Sequence, residues 1–299
     1  MKKHPVIFGL FLVFVSGVAL LLILRVMVAL LGDGVFFSQN EKVGIINISG
    51  IISSSREVVE QLEEFGKDDR IKALVVRIDS PGGGVAASQE IYAAIKRLKN
   101  NKKVVASLGS VAASGGYMIA CAADKIVANP GTLTGSISVI MYFANTEDLF
   151  KKIGLKSSVI KSGKYKDIGS PTREMTEDEK QLLQALVDDI YNQFVAVIAH
   201  DRNIPQEKVL PFADGRVFSG RQAQVLRLVD YLGDKSYAVQ LAGKMADIKG
   251  TPEVLYAKKR DVSLWEFILQ TTFVSVINNL KGEINVIPHG INLLYEYGA

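Results

Sequence analysis

The sequence predicts an α/β domain built on a largely parallel sheet and preceded by one membrane-spanning helix. Two observations support this prediction: short β-branched apolar runs alternate with helix-like segments, and a long uncharged apolar run lies near the N-terminus. Strands that alternate with helices are typical of a parallel sheet covered by crossover helices. No Pro-, Gly- or Ser-rich linker divides the roughly 267 residues after position 32, so we expect one large domain followed by a C-terminal segment.

The apolar run extends from Pro5 to Leu24 and contains 20 uncharged residues. At about 1.5 Å per residue, a helix of this length matches a hydrocarbon core of about 30 Å. A cleaved secretory signal peptide is the alternative, but its apolar region usually spans about 7 to 15 residues and ends at a small-x-small site. No convincing site of that kind follows the run. We therefore expect an uncleaved anchor within residues 1–32.

The charges of the chain indicate its orientation rather than a nucleic-acid partner. Three of its 35 basic residues, Lys2, Lys3 and Arg25, lie within residues 1–32, which hold no acid, so 32 bases face 31 acids in the remainder. A nearly neutral domain lacks the basic surface expected of a nucleic-acid-binding protein. Because two lysines precede the apolar run, the positive-inside rule predicts a cytoplasmic N-terminus and an extracytoplasmic domain over residues 33–250.

Local patterns predict the elements of this domain in order. Runs rich in β-branched residues predict strands at 43–48, 72–78, 103–108, 125–128, 136–141 and 157–161. Helical periodicity predicts helices at 55–66, 85–99, 145–154 and 176–202, the last opened by a capping box of Thr176 and Glu179. The stretch 264–281 is apolar on more than one face, so it packs either on protein or on the membrane surface. The role of residues 251–299 therefore stays open between oligomer packing and membrane-surface packing.

Two loops that follow predicted strands have the composition of an acyl-transfer site, and α/β sheets usually form their sites at such strand ends. In Asp79-Ser80-Pro81-Gly82-Gly83-Gly84, consecutive glycines let backbone amides approach an oxyanion, although an ordinary turn has the same composition. In residues 109–117, Ser114 precedes two glycines. This serine is either a helix N-cap or an exposed nucleophile with the Gly115 amide as an oxyanion donor.

Histidine is too scarce to supply the base that such a nucleophile needs. None of the three histidines, His4, His200 and His289, adjoins a strand-end loop, which argues against a Ser-His-Asp triad. With a single cysteine, the chain also lacks the residues for an intramolecular disulfide or a Cys/His zinc cluster. We interpret the cysteine, Cys121, as a small buried packing residue.

A third loop, residues 161–171, offers lysine as a base instead. It contains Lys161, Lys164 and Lys166. A lysine can replace histidine if burial lowers its pKa from about 10.4 towards 7 or 8, a change worth roughly 4 kcal/mol. The composition of the loop does not say which lysine would serve.

The three loops together resemble one family, the half-length bacterial signal peptide peptidase A of the ClpP/crotonase superfamily. The resemblance runs from about Lys42 to Gly233, with one departure at Ser138, where the family usually has glycine. It implies a ClpP/crotonase-like repeated β-β-α fold. Five motifs carry it, in this order: D-S-P-G-G-G, S-x-A-A-S-G-G-Y, N-P-G-T-L-T-G-S-I-x-V, S-G-x-x-K-D-I-x-S-P and D-G-R-V-F-x-G-R-Q-A.

The resemblance implies a role for individual residues. Ser114 matches the nucleophile, and Lys166, which directly precedes Asp-Ile, matches the general base. Ser136 matches a serine whose hydroxyl contacts the lysine amine. The oxyanion hole corresponds to the backbone amides of Gly82, Gly83 and Gly115, with the donor of the glycine triplet left open. No metal and no organic cofactor are implied.

The function implied is a membrane-anchored serine endopeptidase with a Ser-Lys dyad that cleaves hydrophobic peptides such as remnant signal peptides. A ring-like homo-oligomer is also implied, in which adjacent subunits can contribute the serine and the lysine. Two alternatives stay open: a crotonase-like acyl-CoA enzyme and a catalytically idle membrane scaffold. The Ser and Lys side chains in the key loops argue against both.

Overall fold

The structure is a computed structural model that describes residues 5–32, 41–258 and 293–295. Its contacts divide the chain into two units, Met1–Glu41 and Lys42–Ala299. The first unit contains helix α1 (Pro5–Gly32), whose 28 residues are apolar apart from a few small or polar ones and Arg25. A helix of this length extends about 42 Å, which exceeds the thickness of a hydrocarbon core.

The second unit is built on a parallel sheet in which β10, β1, β2, β4, β5 and β9 lie side by side in that order. Strand β6 pairs parallel to the far end of β4, and β8 pairs antiparallel to β6. The strands of this sheet are β1 (Lys42–Ser49), β2 (Ile71–Ser80), β4 (Lys103–Ala113), β5 (Lys125–Ala128), β6 (Leu133–Gly135), β8 (Val217–Ser219), β9 (Tyr231–Leu232) and β10 (Glu253–Tyr256).

A second, three-stranded sheet lies beside it. Its central strand is β11 (Leu293–Tyr295), which pairs antiparallel with β3 (Gly83–Gly84) on one side and with β7 (Ile140–Met141) on the other. The helices of this unit are α2 (Arg56–Lys67), α3 (Val85–Leu98), α4 (Gly115–Cys121), α5 (Glu147–Lys152), α6 (Glu177–Asp201), α7 (Gln206–Val209), α8 (Gly220–Val225) and α9 (Lys235–Met245).

Helices cover both faces of the parallel sheet, which explains why its strands are nearly continuous apolar runs. On one face, Val43, Ile45, Val75 and Val105 pack with Ala238 and neighbouring residues of α9. On the other face, alternate residues of the same strands join a larger core with α2, α3, α4 and α6. Helix α6 is long and apolar enough to cross a membrane by composition. Its buried stripe, which includes Phe194 and Ile198, instead contributes to this core.

The structure confirms the α/β class, the parallel sheet and most predicted elements. The capping box at the start of α6 forms as predicted, with Thr176 accepting from the Glu179 amide and Glu179 accepting from the Thr176 amide. Strand β10 comes from the predicted C-terminal segment and pairs with β1. The apolar stretch 264–281 lies outside the described residues.

Two strand predictions are wrong in part or in full. Residues 157–161 form no strand, and the side chains of Val159 and Ile160 are 52% and 101% exposed. β-branched residues favour a strand only when they can pair with a neighbouring strand and pack against a core. This segment has neither among the described residues. In the run 136–141 only β7 is a strand, because Ser136 has a positive φ of 51° that interrupts the extended backbone.

Candidate active site

Three neighbouring strands end at one edge of the sheet and bring the predicted loops together. Ser80 at the end of β2 lies opposite Ala112 of β4, and Ala113 lies opposite Gly135 of β6. Residues that directly follow these strands therefore become neighbours. This register brings the glycine loop close to Ser114 and Ser136, although 56 positions separate Ser80 from Ser136 in the sequence.

Ser114 combines a strained backbone with a buried hydroxyl. Its φ and ψ are 53° and −120°, a region that non-glycine residues rarely adopt, and its N–H donates to the Gly135 carbonyl at 2.8 Å. The side chain is fully buried, and Oγ has no hydrogen-bond partner among the described residues. Ser114 occupies the N-cap position of α4, but its hydroxyl makes no capping hydrogen bond. Leaving a buried hydroxyl unpaired costs about 1–3 kcal/mol, which points to a role beyond stability.

One backbone amide of the glycine loop, that of Gly83, faces away from the neighbouring residue Ile52. The Ile52 N–H donates to the Gly82 carbonyl at 2.9 Å, and the Gly84 N–H donates to the Ile52 carbonyl at 2.7 Å. Because successive residues of an extended chain direct their N–H and C=O groups to opposite sides, the Gly83 N–H and C=O face away from Ile52. A Cβ at Gly83 would overlap the Ile52 backbone, which explains the glycine.

Two side chains support this loop, and the sequence did not single out either of them. The Ser80 Oγ is buried and accepts from the Gly82 N–H at 3.1 Å. The Asp79 Oδ1 accepts from the Val111 N–H at 3.1 Å, which ties the start of the glycine loop to the strand that leads to Ser114. A Cβ at Gly109 would lie 2.6 Å from the Asp79 Cγ, so this contact requires glycine. The two loops are therefore fixed relative to each other.

Ser136 lies directly after β6 and is 5% exposed. Its N–H donates to the Arg216 carbonyl at 2.9 Å, and its φ is 51°. Ser114 occupies the equivalent place after β4, with a similar φ. The two serines thus directly follow two paired strands.

The lysine loop is exposed, and two of its three lysines are paired with carboxylates. Lys161 Nζ contacts the Asp167 carboxylate and donates to the Lys164 carbonyl at 2.9 Å. Lys164 Nζ lies 2.6 Å from Asp178 Oδ2, and this hydrogen bond raises the pKa of Lys164. The Lys166 amine makes no hydrogen bond or ion pair with any residue that the structure describes. A single chain therefore does not place Lys166 in hydrogen-bond contact with Ser114.

An arginine that sequence reasoning missed anchors this loop. Arg173 Nε donates to Asp167 Oδ2 at 2.9 Å, and its terminal nitrogens donate to both carboxylate oxygens of Glu179 at 2.8 and 2.5 Å. The guanidinium lowers the pKa of Glu179 to about 2 and also lowers the pKa of Asp167.

The structure describes two further residues considered from the sequence, His200 and Cys121. The His200 side chain is 80% exposed and contacts its neighbour Asp201. Cys121 is 1% exposed, and burial raises the pKa of its thiol to about 12. His4 and His289 lie outside the described residues. Within the described part of the chain, no group of three or more His, Cys, Asp or Glu residues could hold a metal ion.

Comparison with known proteins matches two family models to the chain. Peptidase family S49 matches residues 96–249, and the Clp protease family matches residues 37–132. A candidate protease of Synechocystis sp. is 48% identical over 212 residues, which cover 71% of this chain and 76% of that protein. A candidate signal peptide peptidase SppA of Enterococcus faecium is 33% identical, with 66% and 61% covered. The chloroplastic serine protease SPPA of Arabidopsis thaliana is 35% identical over 80% of this chain and 36% of its own length.

Proposed function

The chain belongs to peptidase family S49, the signal peptide peptidase A family, and on that premise we propose that it is a membrane-anchored serine endopeptidase with a Ser-Lys dyad. The observation that carries the proposal is the Ser114 hydroxyl, which is fully buried and unpartnered among the described residues, on a strained turn. Such a hydroxyl can attack a substrate and give its proton to a base. Backbone amides of the glycine loop and of Gly115 would supply the donors that acyl transfer needs.

The proposed reaction has two halves. Ser114 Oγ attacks the scissile carbonyl while the neutral Lys166 amine accepts its proton, and the tetrahedral oxyanion forms beside the backbone amides. The protonated amine then gives its proton to the leaving nitrogen as the peptide bond breaks. Water attacks the acyl-enzyme in the second half, again with Lys166 as base. The serine and the amine return to their initial states.

We infer that Gly83 and Gly115 donate to the oxyanion. In the glycine loop, Gly82 already donates to Ser80 and Gly84 to Ile52, whereas Gly83 directs its amide away from Ile52. The Gly115 amide directly follows the nucleophile at the start of α4. Gly82 would then not donate to the oxyanion itself. Its hydrogen bond to Ser80 would hold the neighbouring Gly83 in position.

Lys166 is the lysine best suited to be the base. A lysine base must lose its proton, and a carboxylate partner stabilises the protonated amine instead. Lys161 and Lys164 contact Asp167 and Asp178 respectively, but Lys166 contacts no carboxylate in the described residues. The Ser136 hydroxyl, beside Ser114, would contact the lysine amine in the assembled site and hold it towards Ser114.

Assembly of several copies would bring the lysine to the serine. Lys166 lies on an exposed loop and makes no contact with Ser114 within one chain. The preceding segment exposes half or more of five large apolar side chains: Leu149, Ile153, Leu155, Val159 and Ile160. Exposed apolar surface of this kind favours a protein interface. We propose a ring-like homo-oligomer in which this segment docks on a neighbouring copy and its Lys166 completes that copy's site.

Helix α1 would anchor the protein in the cell membrane with the N-terminus in the cytoplasm. We propose that residues 1–32 form the tail and anchor, residues 33–250 the extracytoplasmic peptidase domain, and residues 251–299 a segment for oligomer or membrane-surface packing. A membrane location brings the site close to hydrophobic peptides in the bilayer. The name of the Enterococcus relative agrees with remnant signal peptides as substrates.

Hydrolysis of a hydrophobic fluorogenic peptide by the detergent-solubilised full chain tests this proposal. We expect Ser114→Ala and Lys166→Ala each to lower kcat by at least about 1,000-fold, because the nucleophile and its base act as a unit. Lys164→Ala is the matched control and should retain activity within a few-fold. Unchanged cleavage by either dyad variant would overturn the proposal. Recovery of activity on mixing the two inactive variants would show that neighbouring copies share the site.

A further inference from the structure

Strand β4 contains a bulge near its end. In the register with β2, Leu108 lies opposite Ile78, and the next pair is Ala112 opposite Ser80. The three residues 109–111 of β4 therefore face a single residue of β2. At the same place β4 exchanges its other neighbour, β5, for β6. Bulges bend the strand that carries them, and they are over-represented next to active sites.

The bulge decides which residue of β4 reaches the level of the glycine loop. Beyond the pair of Ser80 and Ala112, two further residues along each chain lead to Gly82 and Ser114. An unbroken register from Leu108 would instead bring Ala112 to the level of Gly82. Ser114 would then lie two residues further on, which is about 6.6 Å in a parallel strand. The two extra residues of the bulge thus hold the proposed nucleophile level with the glycine loop.

Two side chains form hydrogen bonds with backbone groups of the bulge. The Asp79 Oδ1 accepts from the Val111 N–H at 3.1 Å. The Thr132 hydroxyl, on a residue that is 2% exposed, donates to the Gly109 carbonyl at 2.7 Å. The two contacts come from different neighbours, because Asp79 belongs to β2 and Thr132 directly precedes β6. A buried backbone group without a partner is costly, so both side chains stabilise the bulge in this shape.

We propose that Asp79 and Thr132 are positioning residues for the cleavage reaction: they hold the bulge at 109–111, and the bulge holds Ser114 level with the glycine loop. The effect on cleavage rests on the proposed peptidase function, whereas the support of the bulge does not. Neither side chain takes part in the chemistry, so its loss should slow the reaction through the position of Ser114. A displacement of about 1 Å in a catalytic site can lower the rate about 100-fold.

Kinetics of matched variants test the positioning role. We expect Asp79→Ala and Thr132→Val each to lower kcat for the fluorogenic peptide by about 10- to 100-fold, with KM within about three-fold of wild type. Asp79→Asn keeps an oxygen that can accept from Val111, and Thr132→Ser keeps the hydroxyl, so both should recover kcat to within a few-fold of wild type. A kcat within about two-fold of wild type in either Asp79→Ala or Thr132→Val, or an equal loss in the conservative variants, would overturn the proposal.

Hydrogen exchange measures the support of the bulge without any catalysis. In the full chain carrying Ser114→Ala, the amides of residues 109–114 should exchange about 10-fold faster after Asp79→Ala or Thr132→Val. The amides of α6 should exchange at an unchanged rate, which reports that the variants are folded. Unchanged exchange at 109–114 would overturn the support of the bulge. Faster exchange throughout the domain would assign both side chains to stability alone and overturn the positioning role.

The positioning proposal and the proposed function fail separately. Cleavage that survives Ser114→Ala overturns the peptidase mechanism. An enzyme that requires Ser114 but keeps its kcat in Asp79→Ala and Thr132→Val overturns the positioning role.

Discussion

Arg173 holds Asp167, the residue that directly follows the proposed base, through a hydrogen bond of 2.9 Å from Nε to Oδ2. The same guanidinium donates to both carboxylate oxygens of Glu179, whose side chain is 3% exposed at the start of α6. The lysine loop is thus connected to a long core helix by this guanidinium and by Lys164, which pairs with Asp178 of the same helix. The loop is otherwise exposed, so its geometry depends strongly on this connection.

Replacement of Arg173 should therefore impair catalysis more than folding. We expect Arg173→Gln and Arg173→Lys to lower kcat by about 10- to 100-fold with a small change in KM, because lysine cannot bridge two carboxylates as a guanidinium does. The measurement is kcat and KM beside the thermal midpoint in the same detergent. Lys180→Ala removes an exposed ion pair with Glu177 and is the control. A kcat within two-fold of wild type in Arg173→Gln would contradict a positioning role.

The Arg173–Glu179 contact should also make stability depend on pH. The guanidinium holds the pKa of Glu179 at about 2 in the folded chain, compared with an ordinary value of 4.5. A lowered acid pKa stabilises the fold above pH 4.5, and this contribution is lost as the pH falls towards 2. The thermal midpoint of wild type should therefore fall more steeply between pH 4.5 and 2 than that of Glu179→Gln. Parallel curves for the two proteins would contradict the assignment.

Gly135 should not tolerate a side chain. Its φ is +87°, its carbonyl accepts from the Ser114 N–H, and an added Cβ would lie 2.6 Å from Phe218 Cδ2 and 3.1 Å from the Arg216 carbonyl. We expect Gly135→Ala to destabilise the fold by about 2 kcal/mol or more and to lower kcat, as the turn beneath Ser114 shifts. Gly131, which has open space around its Cα, provides the control as Gly131→Ala. Equal thermal midpoints for these two variants would refute the explanation.

Cys121 should be inert in the folded protein. It is the only cysteine of the chain, it is 1% exposed, and burial raises the pKa of its thiol to about 12. Thiol reagents react with the thiolate, so labelling at pH 8 should proceed only after denaturation. Mass spectrometry of protein treated with iodoacetamide, with and without guanidinium, measures this directly. Rapid labelling of the native chain accompanied by loss of activity would contradict it.

Local patterns predicted the elements that depend on local chemistry. The strands 43–48, 72–78 and 103–108 and the capping box at Thr176 follow from residues close in sequence, and the structure confirms them. The run 157–161 has strand-like composition but receives no partner strand among the described residues. Only tertiary contacts decide such a case.

The sequence predicted the loops of the candidate site but not the contacts that hold these loops in place. The glycines and Ser114 could be identified from the sequence because they directly follow predicted strands, where turn residues form a recognisable pattern. The connection of Arg173 to Asp167 and Glu179 depends on how a loop folds back on a helix, which no periodicity records. The pairing of β11 with β3 joins Tyr295 to Gly83, which are 212 positions apart, and backbone pairing leaves little trace in side-chain identity.

Phosphonylation of Ser114 by a fluorophosphonate probe, followed by peptide mapping, tests the dyad most directly. We predict that the full chain is labelled at Ser114, that Lys166→Ala abolishes this labelling and that Lys164→Ala preserves it. Labelling at another serine, or labelling of Ser114 at the same rate in Lys166→Ala, would contradict the account.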